Sequence, residues 1–241
     1  MLFENIKSFD LESIKPSRTI LLVTDQQEVA KEITKRYSQI YLFDGSEGID
    51  KEKYEKELKC IVDLQLAANS ENSENSEKSK NAQQNNICIH FQNCFHQSLK
   101  WTRNDDTRRL FMNHRFYGIT ILISETFVPC IEPGIRSQID YVMISYIPLI
   151  PLSILHRFYQ SYFKVFENFE MFKTCFQNLN SLNQRLLVFD RTLYSKDGIN
   201  DIFLLTIKPQ IYCFALEPSL FQPMGTMNGC VGFGNNSFFY S

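Results

Sequence analysis

Three short apolar runs constrain what this chain can fold into more than any other feature. They are Ile87–Phe91, Tyr117–Ser124 and Ile139–Ile144. Each is rich in β-branched or aromatic residues and ends at polar or turn-forming ones. Runs of this kind read as strands buried on both faces, the pattern of an α/β sheet covered by helices. Asp105–Asn113, between the first two, reads as a helix.

Four further runs extend the sheet: Arg18–Thr24, Gln39–Phe43, Arg185–Asp190 and residues 202–208. Asp25–Tyr37 reads as a helix with Val29, Ile33 and Tyr37 on one apolar face. Asp25 is expected to cap it, with Glu28 completing a capping-box-like pair. Asp50–Leu66 reads as a charged helix. The polar run 69–86, NSENSENSEKSKNAQQNN, has almost no apolar surface to bury. It is expected to be a disordered insertion within the domain. Pro151–Leu182 reads as helical in two pieces, with Phe158, Tyr162, Val165, Phe169, Phe172 and Phe176 on a core-facing aromatic side. Residues 1–17 are expected to wrap onto a domain spanning 18–210, and 211–241 form a tail.

Hydrophobic content of 44% in 241 residues is enough for one large core. A net charge of −2 excludes a global basic field for nucleic acid and leaves only local patches. The candidates are Lys100–Arg103, which includes Trp101, and Arg108–Arg109; a solvated helix face is the favoured reading of both. Seven scattered cysteines without a secretory pattern fit free thiols inside a cell. No apolar run reaches the roughly 18–20 residues of a membrane span. Tyr141–Leu155 comes nearest, but Pro148 and Pro151 interrupt it, so a strand turning into a helix is expected there.

Three motifs carry a family resemblance. They are the strand Ile87–Cys94, then Leu110–Thr120 (LFMNHRFYGIT), then Pro133–Val142 (PGIRSQIDYV). Together they resemble the virion DNA-packaging ATPases of large and giant DNA viruses. These belong to the additional-strand, FtsK/HerA-type P-loop superfamily, which also holds the bacterial DNA-pumping translocases. The resemblance covers about Pro16 to Pro209 and is weak before Ile87. It implies a single RecA-like P-loop-type α/β domain, with a mainly parallel sheet flanked by helices. It further implies protein partners in a homo- or hetero-oligomeric ring, DNA as another candidate partner, and a place in the viral factory or virion.

The chemistry implied by that family is missing from the sequence. A P-loop needs glycines whose backbone N–H groups wrap phosphate, a Lys, and a Ser/Thr for Mg²⁺. No glycine lies between Arg18 and Asp44. Lys31 falls near the place of the family Lys, followed by Glu32 where a hydroxyl belongs. The acidic pair that holds Mg²⁺ and activates water aligns with Gln92 and Asn93, and amides cannot take the proton. The family's sensor position is Thr126. Arg115 and Arg136 match family arginines that stabilise phosphate charge, although an ion pair with Asp140 or another neighbouring acid is the favoured role for them. The expected function is therefore a catalytically degenerate packaging-ATPase relative with a structural or regulatory task and no cofactor. ATP and Mg²⁺ enter only on the alternative, an active motor with a site rebuilt from residues such as Lys31, Glu125 and Arg136.

Two other constellations compete. Cys88, His90, Cys94 and His96 resemble zinc-ligand pairs, which would make a metal-bound interaction module. Their place on a central strand favours buried thiols and hydrogen-bonded histidines instead. A nucleophilic Cys–His pair through His114 or His156 has no spacing to support it.

Overall fold

A computed structural model describes residues 6–46, 51–74, 87–95, 105–181, 185–193 and 201–206, without the side chains of 51, 68–74 and 181. The tail and His96 lie outside the described residues, as do Lys100–Arg103.

Among the described residues, eight strands form one sheet. In chain order they are β1 (Lys7–Ser8), β2 (Thr19–Val23), β3 (Gln39–Asp44), β4 (Ile87–Gln92), β5 (Ile119–Glu125), β6 (Tyr141–Ile144), β7 (Arg185–Asp190) and β8 (Ile202–Thr206). Their order across the sheet is β1-β8-β7-β6-β2-β5-β4-β3. All neighbouring pairs are parallel except β6–β7 and β7–β8. One strand, β5, stands between β2 and β4. The sheet is the mainly parallel, helix-flanked one that the motifs implied.

The helices are α1 (Gln27–Thr34), α2 (Lys51–Glu74), α3 (Asp105–Tyr117), α4 (Pro133–Arg136), α5 (Leu152–Tyr162) and α6 (Phe169–Asn178). Alternation along the strands sends side chains into two cores. Leu21 and Val23 of β2, with Ile89 and Phe91 of β4, join a large core shared with α2 to α6. Ile20 and Leu22, with Cys88, join a smaller core covered by Val29, Ala30 and Ile33 of α1 and by Phe9 and Ile14. The aromatic set behaves as core: Phe158, Phe172 and Phe176 are buried, although Val165 lies between α5 and α6 and so breaks the single helical face.

Two helix expectations are corrected. Asp25 does not cap α1: the N-cap residue is Gln26, and it makes no side-chain capping bond. The Thr24 hydroxyl instead accepts from the Gln26 N–H at 3.0 Å, a local turn that starts the helix later. The charged helix also does not stop at Leu66, because α2 continues to Glu74 and so enters the polar run. Polarity there argues against burial, not against a helix, since Ala and Glu propagate helices well.

Candidate functional site

The C-terminal ends of β2, β4 and β5 frame a cavity of about 310 Å³ against α1. In open parallel sheets this is where ligands bind. Lys31, Gln92, Asn93 and Thr126 all line it, together with Leu22, Ala30, Ile40, Leu42, His90, Ser124 and Glu125. The structure thus brings together four of the positions singled out in the sequence.

Their arrangement differs from that of a phosphate cradle. Only Thr24, Asp25 and Gln26 join β2 to α1, whereas a P-loop motif runs over about eight residues. A three-residue connection has no length with which to wrap a triphosphate. Lys31 lies a full turn inside α1 rather than at its start. At the second position the amides bond to neighbours. Asn93 sits in the left-handed region at φ 51°, a conformation Asn tolerates better than most residues. Its Oδ1 accepts from the Thr126 hydroxyl at 3.2 Å and from the Thr126 N–H at 3.3 Å. Gln92 donates to Asp44 at 3.3 Å. Asn93 and Thr126 therefore bond to each other and tie the ends of β4 and β5. Gly45 is needed beside them: a Cβ there would stand 2.4 Å from the Asn93 carbonyl oxygen.

Two buried titratable groups sit at the cavity and escape sequence reasoning as a set. His90 shares a hydrogen bond of 2.7 Å with the Ser124 hydroxyl. Burial pulls its imidazole down to about 4, against a weaker opposing pull from Asp44. Glu125 accepts from the Phe95 N–H at 2.6 Å. Burial pushes its carboxyl up to about 7, against the N–H groups of Phe95 and Cys94. Neutral forms of both are thus favoured over much of the acidic range.

The two arginines lie away from this cavity. Arg115 pairs with Asp140 at 2.8 Å, at the opposite ends of the strands. Asp140 also accepts from the Thr19 N–H at 3.0 Å and from Arg18 at 3.3 Å. Arg136 donates to Ser161 at 3.0 Å, beside a small hollow of about 40 Å³ lined by Cys130 and Arg157. Neither lines the cavity with Lys31 and Glu125.

The zinc arrangement is not assembled among the described residues. Cys88 belongs to the α1-side core and Cys94 to the opposite one. The Cys94 thiol donates to the Phe43 and Gln92 carbonyls. Among the described residues, no three His, Cys, Asp or Glu side chains are placed to hold a metal ion. His114 is buried against Thr19, 3.1 Å from its hydroxyl, and His156 packs edge-on against Phe169; neither meets a cysteine in these contacts. Among the described residues, no helix is long and apolar enough to cross a membrane.

No protein-family model matches the chain, and no curated protein matches it. Among solved structures it is similar to the genome packaging NTPase B204 from Sulfolobus turreted icosahedral virus 2 in complex with ATP-gammaS. The identity is 11% and the TM-score 0.47, over 79% of this chain and 98% of that one. It is similar as well to B204, the DNA-packaging ATPase from Sulfolobus turreted icosahedral virus, at 13% identity and a TM-score of 0.47, over 81% of this chain and all of that one (100%). The pCW3 conjugation coupling protein TcpA is similar at 12% identity and a TM-score of 0.45, over 78% of this chain and 59% of its own.

Proposed function

We propose that this chain is a non-hydrolysing relative of the virion DNA-packaging ATPases. It serves as a structural or regulatory component of genome packaging or virion assembly, in the viral factory or the virion, through protein partners. The observation that carries this reading is the connection Thr24–Gln26: only three residues join β2 to α1, too few for a phosphate-wrapping loop. The bonds of Asn93 to Thr126 and of Gln92 to Asp44 support it. In an active site those positions must be free to hold Mg²⁺ and take a proton.

Phosphate release tests the proposal. With ATP, Mg²⁺ and double-stranded DNA present, release is expected to stay at the level of protein-free buffer. Mg²⁺-dependent turnover that Lys31→Ala abolishes would replace this reading with an active motor whose site has been rebuilt.

A further inference from the structure

The two edges of the sheet are built differently. β1 is two exposed residues long and begins with Lys7. A short, charged edge discourages further pairing. β3 is six residues long, QIYLFD, with no Lys, Pro or Gly. Among the described residues no strand pairs with its outer side.

The register decides which backbone groups that side presents. The Gly45 N–H donates to the Gln92 carbonyl at 2.8 Å, and the Cys94 thiol donates to the Phe43 carbonyl. In a parallel pair every second residue bonds to the partner strand, and those between point away from it. Tyr41 and Phe43 therefore face β4. The N–H and C=O groups of Ile40, Leu42 and Asp44 face outward.

The same three residues turn their side chains to the α1 side. Ile40 and Leu42 line the cavity there and are 47% and 56% exposed. α1 has only eight residues and leaves them uncovered. Asp44 closes the row, exposed, and accepts from Gln92. Asp25 and Glu125 line the adjoining cavity, against Lys31. Charge therefore favours a basic group beside Asp44.

We propose that β3 is a docking edge for an extended segment of a partner protein. The segment adds to the sheet as a further strand, with two alternate apolar side chains against Ile40 and Leu42 and a Lys or Arg against Asp44. This gives the protein partners of the proposed function a surface. It does not rest on the loss of hydrolysis, and its test contains no nucleotide, so the two readings fail separately.

The probe is a fluorescein-labelled seven-residue peptide with valine at its second and fourth positions, lysine at its sixth and threonine elsewhere. Its reversed sequence covers the opposite strand direction. One of the two is expected to bind the full chain, by fluorescence anisotropy, within about 1 mM protein. At ten times its Kd, amide exchange at Ile40, Leu42 and Asp44 is expected to slow about tenfold. Methylating one alternate set of the peptide's amide nitrogens is expected to abolish binding, and methylating the other set to leave it, because only one edge of the peptide meets β3. Glutamate in place of the lysine is expected to weaken binding about fivefold. Leu42→Pro removes an outward N–H and no bond to β4; it is expected to stay folded by circular dichroism and to lose binding. Failure of both peptides to bind would overturn the proposal. So would binding that tolerates both methylated sets, or edge amides already protected in the chain alone, whether by its own segments or by a second copy.

Discussion

Phe91→Ala is expected to lower the stability of the chain by about 3–5 kcal/mol, the cost of emptying a fully enclosed aromatic site. Phe91 is 0% exposed on β4, the strand next to the edge strand β3. Its ring stacks on Phe43 at 5.5 Å and on Phe111 at 5.8 Å, and meets Phe95 edge-on at 6.0 Å. Those partners come from three different segments, so no single neighbour can relax into the space. Urea unfolding measures the loss directly. A loss below about 1 kcal/mol would mean that this side of the sheet is loosely packed.

Glu125→Gln is expected to change how stability depends on pH. Glu125 has an ordinary value of 4.5 and is pushed up to about 7 by burial. Its contribution is full below pH 4.5 and is lost as pH rises through 7. His90 moves the other way, from 6.5 down to about 4. Its contribution is present above pH 6.5 and is lost as pH falls through 4. Each shift corresponds to about 3 kcal/mol. Between pH 4.5 and 6.5 the two largely offset each other in the wild-type chain. The Gln variant removes only the carboxylate, so its stability is expected to climb through that window, where His90 is neutral in the folded chain and still protonated in the unfolded one. At pH 8 it is expected to exceed the wild type by about 3 kcal/mol. Parallel wild-type and variant curves from pH 4 to 8 would show that Glu125 does not titrate in a buried setting.

Most strands were legible because burial on both faces leaves a simple mark, whereas β1, two exposed residues, leaves none. Ile87–Phe91 is apolar but for His90, Arg185–Asp190 has an apolar centre at Leu186–Phe189, and the sheet uses both within a residue of the expected ends. The start of α1 was not legible. Asp25 and Glu28 have capping-box spacing, but the Thr24 hydroxyl takes the local turn first. The cavity was half legible. Motif alignment placed Lys31, Gln92, Asn93 and Thr126 together. It could not reveal that Asn93 bonds to Thr126, 33 positions away, or that His90 meets Ser124 across 34. Those contacts follow from the β4–β5 register, and pairing partners leave no periodic trace in sequence. The alternatives for Arg115 separated only in the fold, where Asp140 holds it.

Thermal unfolding with ATP, with and without Mg²⁺, tests the central claim most directly. A ligand at 100 times its Kd adds about 2.7 kcal/mol to stability, a shift easily seen in a chain of this size. With only Thr24–Gln26 between β2 and α1, the melting temperature is expected to stay unchanged at millimolar ATP–Mg²⁺. A clear Mg²⁺-dependent rise that Lys31→Ala removes would show that the cavity binds nucleotide after all, and would contradict the account.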